Sequence, residues 1–101
     1  MVIIAEKIIN EFAKKYPLSA FAMNKWYKQV INADWKDFHE VRKTFNSTDS
    51  IGNDRYVFDI GGNKYRLVGM IHFTKRTIYI RFIGTHAQYE QICKSGLITK
   101  I

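Results

Sequence analysis

The sequence predicts a single α+β domain, with helices gathered in its first half and a small antiparallel sheet in its second. Three observations carry this. Apolar residues recur at helical spacing from Glu6 to Phe45; β-branched and aromatic residues fill three runs between Arg55 and Ile83; and a Thr85/Gln88 pair marks the start of one last helix.

In chain order, Met1 to Ala5 reads as a short strand. From Glu6 to Tyr16, Ile8, Ile9, Phe12 and Tyr16 share one helical stripe, and Pro17 ends the segment because the residue before a proline disfavours helical dihedrals. A second helix is expected from about Ser19 to Ile31, with Ala20, Met23, Tyr27, Val30 and Ile31 facing the core. Asp34 is placed to cap a third, which would carry Trp35, Phe38, Val41 or Arg42, and Phe45. Residues 46–54, rich in Ser, Thr, Asn, Asp and Gly, read as a loop. Three antiparallel strands follow, Arg55 to Ile60, Asn63 to Phe73 and Ile78 to Ile83, separated by Gly61-Gly62 and by the turn at residues 74–77. Thr85 with Gln88 three residues on is the pattern of a capping box, opening a helix that carries Tyr89, Ile92 and Cys93 and stops near Gly96.

A chain of 101 residues with 47% apolar content can build one core and no more, so residues 1–101 form one domain. Its net charge of +7 is unevenly placed. Through Asp54 the cations and anions nearly balance; from Arg55 onward eight Lys and Arg face only Asp59 and Glu90. A basic surface in the second half points to a polyanion. The apolar opening Met1 to Ala5 is interrupted at once by Glu6 and Lys7, so neither a membrane span nor a signal peptide is expected. One cysteine and three scattered histidines offer no zinc-ligand spacing, which predicts no metal, no cofactor and a reducing cytoplasmic setting.

Strand register decides which residues share a face, because a slip of one residue exchanges the two faces. With two-residue loops at both turns, Phe58 opposes Tyr65 and Ile71 opposes Ile80; a four-residue second loop keeps the same parity. Tyr56, Phe58, Ile60, Tyr65, Leu67, Ile71, Ile78, Ile80 and Phe82 then form an apolar face for the helices to cover. Arg55, Asp59, Lys64, Arg66, His72, Tyr79, Arg81 and Ile83 lie on the other. This register sets Asp59 across from Lys64, puts Thr85 opposite Arg66 and brings His86 close to Lys64 and Arg66.

Each of these residues has a bland reading beside its functional one. Arg55, Lys64, Arg66 and Arg81 suit an anion, or are a solvated face. His86 is a proton carrier or the first turn of a helix, and Tyr89 is a catalytic hydroxyl or a core ring. Tyr79 can stack on an unpaired base, and Lys75 and Arg76 at the turn can meet phosphate.

Taken together, Arg55-x-Val57-Phe58-x-Ile60-Gly61-Gly62-Asn63-Lys64-Tyr65-Arg66-Leu67, Tyr79-Ile80-Arg81 and Thr85-His86-x-x-Tyr89 resemble the HigB family of type II toxins. The resemblance implies a RelE-like fold and an mRNA interferase, a metal-independent endoribonuclease that usually works on the ribosome. It implies neutralisation by a HigA antitoxin with a helix-turn-helix domain. The matching positions are Lys64, Arg66, Arg81, His86 and Tyr89, read as catalytic; Arg55, Lys75, Arg76 and Tyr79 are expected to contact RNA through their charge or their ring. Cleavage of this kind uses the ribose 2′-hydroxyl as nucleophile and leaves a 2′,3′-cyclic phosphate. Two alternatives remain open at this point: a non-enzymatic gyrase poison of the same fold, as in the ParE group, and a plain RNA-binding module.

Overall fold

The computed structural model describes residues 1–101 and has the order β1 (Val2–Ile4), α1 (Glu6–Lys15), α2 (Ala20–Ile31), α3 (Phe38–Thr44), β2 (Asp49–Gly52), β3 (Arg55–Ile60), β4 (Tyr65–His72), β5 (Thr77–Thr85) and α4 (His86–Lys94). The five strands form one mixed sheet in the order β1-β5-β4-β3-β2. The α+β expectation holds, with one strand more than the sequence suggested. β1 runs parallel to β5, pairing Val2 with Thr77 and Ile4 with Tyr79, and the three helices between β1 and β2 make the long return that a parallel pair requires.

The helices differ from expectation in detail. Pro17 opens a short 3-10 turn, Pro17–Ser19, that leads straight into α2. On α2 the buried residues are Met23, Trp26 and Val30, so the inward stripe passes through Trp26; Ala20 and Ile31 are exposed. Asp37, not Asp34, caps α3, its carboxylate accepting from the Glu40 amide at 3.0 Å. Asp34 instead forms an ion pair with Arg76 at 2.6 Å, and Trp35 stays outside the helix, donating its Nε1–H to Thr44 Oγ1 at 3.0 Å. Asp37 also has Glu40 three residues on, whose carboxylate accepts from the Lys36 amide at 2.6 Å and holds the chain as it enters the helix.

Residues 46–54 are not simply a loop. β2 pairs with β3 through a hairpin whose two loop residues, Asn53 and Asp54, both have positive φ (52° and 61°). That is the backbone of a type I′ turn, and Asn and Asp are among the few side chains that tolerate it.

The first hairpin loop is longer than assumed, the second takes the four-residue form, and one strand carries a bulge. Asp59 faces Arg66 and Ile60 faces Tyr65, so the first loop holds four residues, Gly61 to Lys64. The shift is two residues, which leaves the faces of β3 and β4 as expected but replaces the Asp59–Lys64 pairing by Asp59–Arg66. The second loop also holds four residues, since His72 faces Thr77. Between Val68 and Gly69 the β4/β5 register changes, so that Ile80 opposes Gly69 while Phe82 opposes Val68, leaving Arg81 as the extra residue. Beyond this bulge the faces of β5 exchange. Ile83 packs against the core and Phe82 joins the opposite face, the reverse of the predicted assignment. Thr85 accordingly faces Tyr65, one place from Arg66.

The core lies between the helices and one sheet face. Phe58, almost fully buried, is its centre: Trp26 and Phe45 meet it edge-on at 5.3 and 5.6 Å, and Trp35 stacks at 6.4 Å. Aromatic pairs in these geometries contribute about 0.5–1.5 kcal/mol each beyond the area they bury.

The other sheet face is not an open basic palm. Val68 is 0% exposed and Arg66 8%. α4 packs on β4 and β5 at one end of this face, and the last residues of the chain cross β2 and β3 at the other. There the Asn53 amide donates to the Thr99 carbonyl at 2.9 Å, and the Arg55 guanidinium donates to the Ile101 oxygen at 3.2 and 2.5 Å.

Candidate active site

The start of α4 is fixed by local chemistry. Thr85 Oγ1 accepts from the Gln88 amide at 3.2 Å, and Gln88 Oε1 accepts from the Thr85 amide at 2.9 Å, the reciprocal capping box predicted from sequence. The His86 amide, one of the donors a helix start leaves free, finds the Lys64 carbonyl at 3.1 Å. This bond ties the helix to the Gly61–Lys64 turn and sets His86 beside Lys64, as the sequence placed it.

His86 also has a partner that reading the chain as strands and cations passed over. Its Nε2 lies 2.8 Å from Glu90 Oε1, one helical turn along α4, with both side chains about half exposed. The i, i+4 spacing of His86 and Glu90 is legible in the sequence.

Tyr89, at i+3 from His86, faces the sheet from the same side of α4. Its ring lies 6.4 Å from that of Phe82, the residue the bulge turns to this face. Burial pushes the Tyr89 phenol well above the usual tyrosine range; the neighbouring Cys93 side chain adds to the rise, the charge of Arg66 opposes it, and Asp49 supports it. At neutral pH the hydroxyl is a donor and not a base.

Arg66 is spoken for. Its Nε lies 3.1 Å from Asp59 Oδ1, and its Nη1 donates to the Tyr65 carbonyl at 3.1 Å. A guanidinium so buried needs such partners, and here it can present only its remaining N–H groups and its residual field to a ligand. Lys64 and Arg81, by contrast, are exposed and have no ion-pair partner within 4.0 Å. Arg81 projects from the bulge with its guanidinium 5.6 Å from the centre of the Tyr79 ring. That contact keeps the cation beside a flat surface on which a base can stack.

The remaining sequence candidates lie elsewhere. Arg55 is held by Asn53 and Ile101 at the start of β3, at the end of this face away from α4. Lys75 and Arg76 occupy the turn at the opposite end of the β4–β5 hairpin, roughly 25 Å along the strand from His86. Arg76 is committed to Asp34 and to the Phe73 carbonyl. No three His, Cys, Asp or Glu side chains converge anywhere in the chain, so a protein-held metal ion has no ligand set here. No helix is long and apolar enough to cross a membrane.

The amino-acid sequence that builds this sheet, its helices and α4 has relatives among known proteins. Residues 19–92 match the HigB toxin family, described as a RelE-like toxic component of a toxin-antitoxin system. The chain belongs to the HigB toxin family. Among its relatives is the mRNA interferase HigB of Escherichia coli O6:H1, 31% identical over 96 residues that span 93% of each chain. The mRNA interferase toxin HigB of Escherichia coli K12 is 29% identical over 92 residues, 89% of this chain and 88% of its own, and the mRNA interferase HigB of Shigella flexneri matches to the same extent. The HigB match covers α2 through most of α4 and therefore includes every candidate side chain from Arg55 to Tyr89.

Proposed function

We propose that this HigB-family chain is an mRNA interferase, an endoribonuclease that cuts messenger RNA on the ribosome and is held in check by a HigA-type helix-turn-helix antitoxin. The observation that carries the reading is the cluster at the start of α4: His86 with its Glu90 partner, one turn from the protonated Tyr89, above Arg66 and beside Lys64. Relatives named mRNA interferase over nearly the whole chain point the same way.

In this mechanism the substrate supplies the nucleophile. The ribose 2′-hydroxyl attacks the adjacent phosphorus, the new O2′–P bond forms as the P–O5′ bond breaks, and a 2′,3′-cyclic phosphate and a free 5′-hydroxyl result. His86 takes the 2′ proton through the ring nitrogen that Glu90 leaves free, and the neighbouring carboxylate stabilises the imidazolium that forms. Tyr89, a phenol at working pH, donates toward the leaving 5′-oxygen. Lys64 and Arg81 take the charge that builds on the phosphoryl oxygens, because among the candidate catalytic cations Arg66 alone is held by a carboxylate. Arg66, neutralised by Asp59, orders the platform beneath Tyr89. Tyr79 with Arg81 holds a flanking base, whereas Arg55, Lys75 and Arg76 contribute at most to longer-range attraction for the RNA.

The test is cleavage of a defined message in a translation reaction, with the ends mapped chemically. His86→Ala and Arg81→Ala should each slow cleavage by about two to four orders of magnitude, the range that loss of a proton-transfer or charge-stabilising group produces. Wild-type rates in both variants would sink the assignment of the site. Recovery of cleaved DNA bound to gyrase, with intact RNA, would replace the nuclease by a gyrase poison.

A further inference from the structure

We propose that the groove between α2 and the Gly61–Lys64 turn is the docking site for the antitoxin, which enters it with an apolar anchor flanked by carboxylates. This inference rests on membership of a toxin-antitoxin family and not on the cleavage mechanism. The groove encloses about 400 Å³ and is walled by Phe21, Trp26, Phe45, Ile60 and the two glycines of the turn. It lies on the helical side of the molecule, and neither His86 nor Tyr89 lines it.

Three features mark it as built for a protein segment. First, Phe21 on its wall is 83% exposed and Leu18, one helical turn before it, is 90% exposed, the two most exposed large apolar side chains of the chain. Adjacent exposed apolar residues beside a concave surface are the usual mark of an interface. Second, the indole Nε1–H of Trp26, on the wall, has no acceptor although the residue is only 2% exposed. A buried donor without a partner is uncommon; this one is sealed from solvent, so a partner's carbonyl or carboxylate satisfies it only where docking turns the Trp26 ring toward the groove. Third, the charge on the groove is one-sided. Lys25 lines it without an ion-pair partner, α2 carries no acidic residue, and the one carboxylate on the wall, Asp59, is engaged by Arg66. The whole chain carries +7, so a second copy of itself would be repelled from this surface and an acidic partner drawn to it.

The experiment titrates the purified chain with a HigA-type antitoxin and follows RNA cleavage by the same preparations. Phe21→Asp should weaken antitoxin binding by at least tenfold, and Lys25→Glu should weaken it less, while both cleave RNA at the wild-type rate. Antitoxin affinity unchanged in both variants overturns the proposal. So does lost cleavage with antitoxin binding intact, which would make the groove a ribosome or RNA contact. A chain that dimerises alone and is dispersed by Phe21→Asp would assign the groove to a second copy instead. If Phe21→Asp melts at a lower temperature than wild type, Leu18→Asp, at the more exposed position, replaces it in the same titration. Loss of cleavage in His86→Ala with antitoxin binding retained would leave this inference standing independently of the catalytic assignment.

Discussion

His86 and Tyr89 differ in what surrounds them, and that difference assigns their roles. His86 is half exposed and hydrogen-bonded to a carboxylate, free to load and unload a proton; Tyr89 is half buried and held as a phenol. Glu90→Gln keeps the geometry but removes the charge that favours imidazolium. Its cleavage rate should fall roughly tenfold, less than for His86→Ala; an unchanged rate would show that Glu90 only decorates the helix. The raised pKa of Tyr89 also has a stability consequence. Below about pH 10 the tyrosine is protonated in both folded and unfolded chains, so it contributes no slope. Above that, the folded chain holds a proton that the unfolded chain releases, and stability falls as pH rises. Tyr89→Phe should flatten this alkaline decline in urea titrations at pH 9 to 11. Tyr27 and Tyr56 are shifted in the same direction, each by burial first, so part of the slope should persist.

At the scale of the elements, the bulge in β5 is the decisive feature. By inserting Arg81, it sends Phe82 to Tyr89 and Ile83 to the core, and it leaves Arg81 outside the ladder beside Tyr79. Gly69 sits across from it, where a Cβ would lie 2.6 Å from Ile78 Cδ1 and 2.8 Å from Cγ1. Ile78 is fully buried and has no room to move, so Gly69→Ala should destabilise the chain by about 1–3 kcal/mol, read as a lower urea midpoint with unchanged slope. The neighbouring ion pair between β3 and β4 makes a second test. Asp59→Asn leaves the Arg66 guanidinium, 10% exposed, with a weaker partner; a loss of about 1–3 kcal/mol is expected, and no loss would mean that water already satisfies it.

For the molecule as a whole, the basic residues of the second half do not form one surface. Charge near α4 comes from Lys64 and Arg81, while Lys75 stands at the far end of the hairpin and Arg55 holds the last residues of the chain. Lys75→Ala should therefore leave the cleavage step at its wild-type rate. Its effect should appear only in RNA binding, as a salt slope smaller by about one, measured between 50 and 200 mM salt. A fall in the rate of bound substrate would place Lys75 in the site after all.

The sequence by itself determined the order of helices and strands, the capping box that starts α4, the parity of β3 and β4, and the set of residue types that resembles HigB. Those are local matters: periodicity, turn chemistry and spacing within one helix. It also contained two signals that were passed over, the Gly52-Asn53-Asp54 turn that makes β2 a strand and the His86/Glu90 spacing. Tertiary structure alone gave Asp34 its partner, Arg76, 42 residues further on. It decided the partner of β1, and it converted an apparently open basic face into one covered by α4 and the last residues of the chain. Above all it placed the bulge at Arg81. Phe82 and Ile83 are both apolar, so alternation in the sequence does not tell which of them faces the core, and the one extra residue determines which side chains of β5 meet Tyr89.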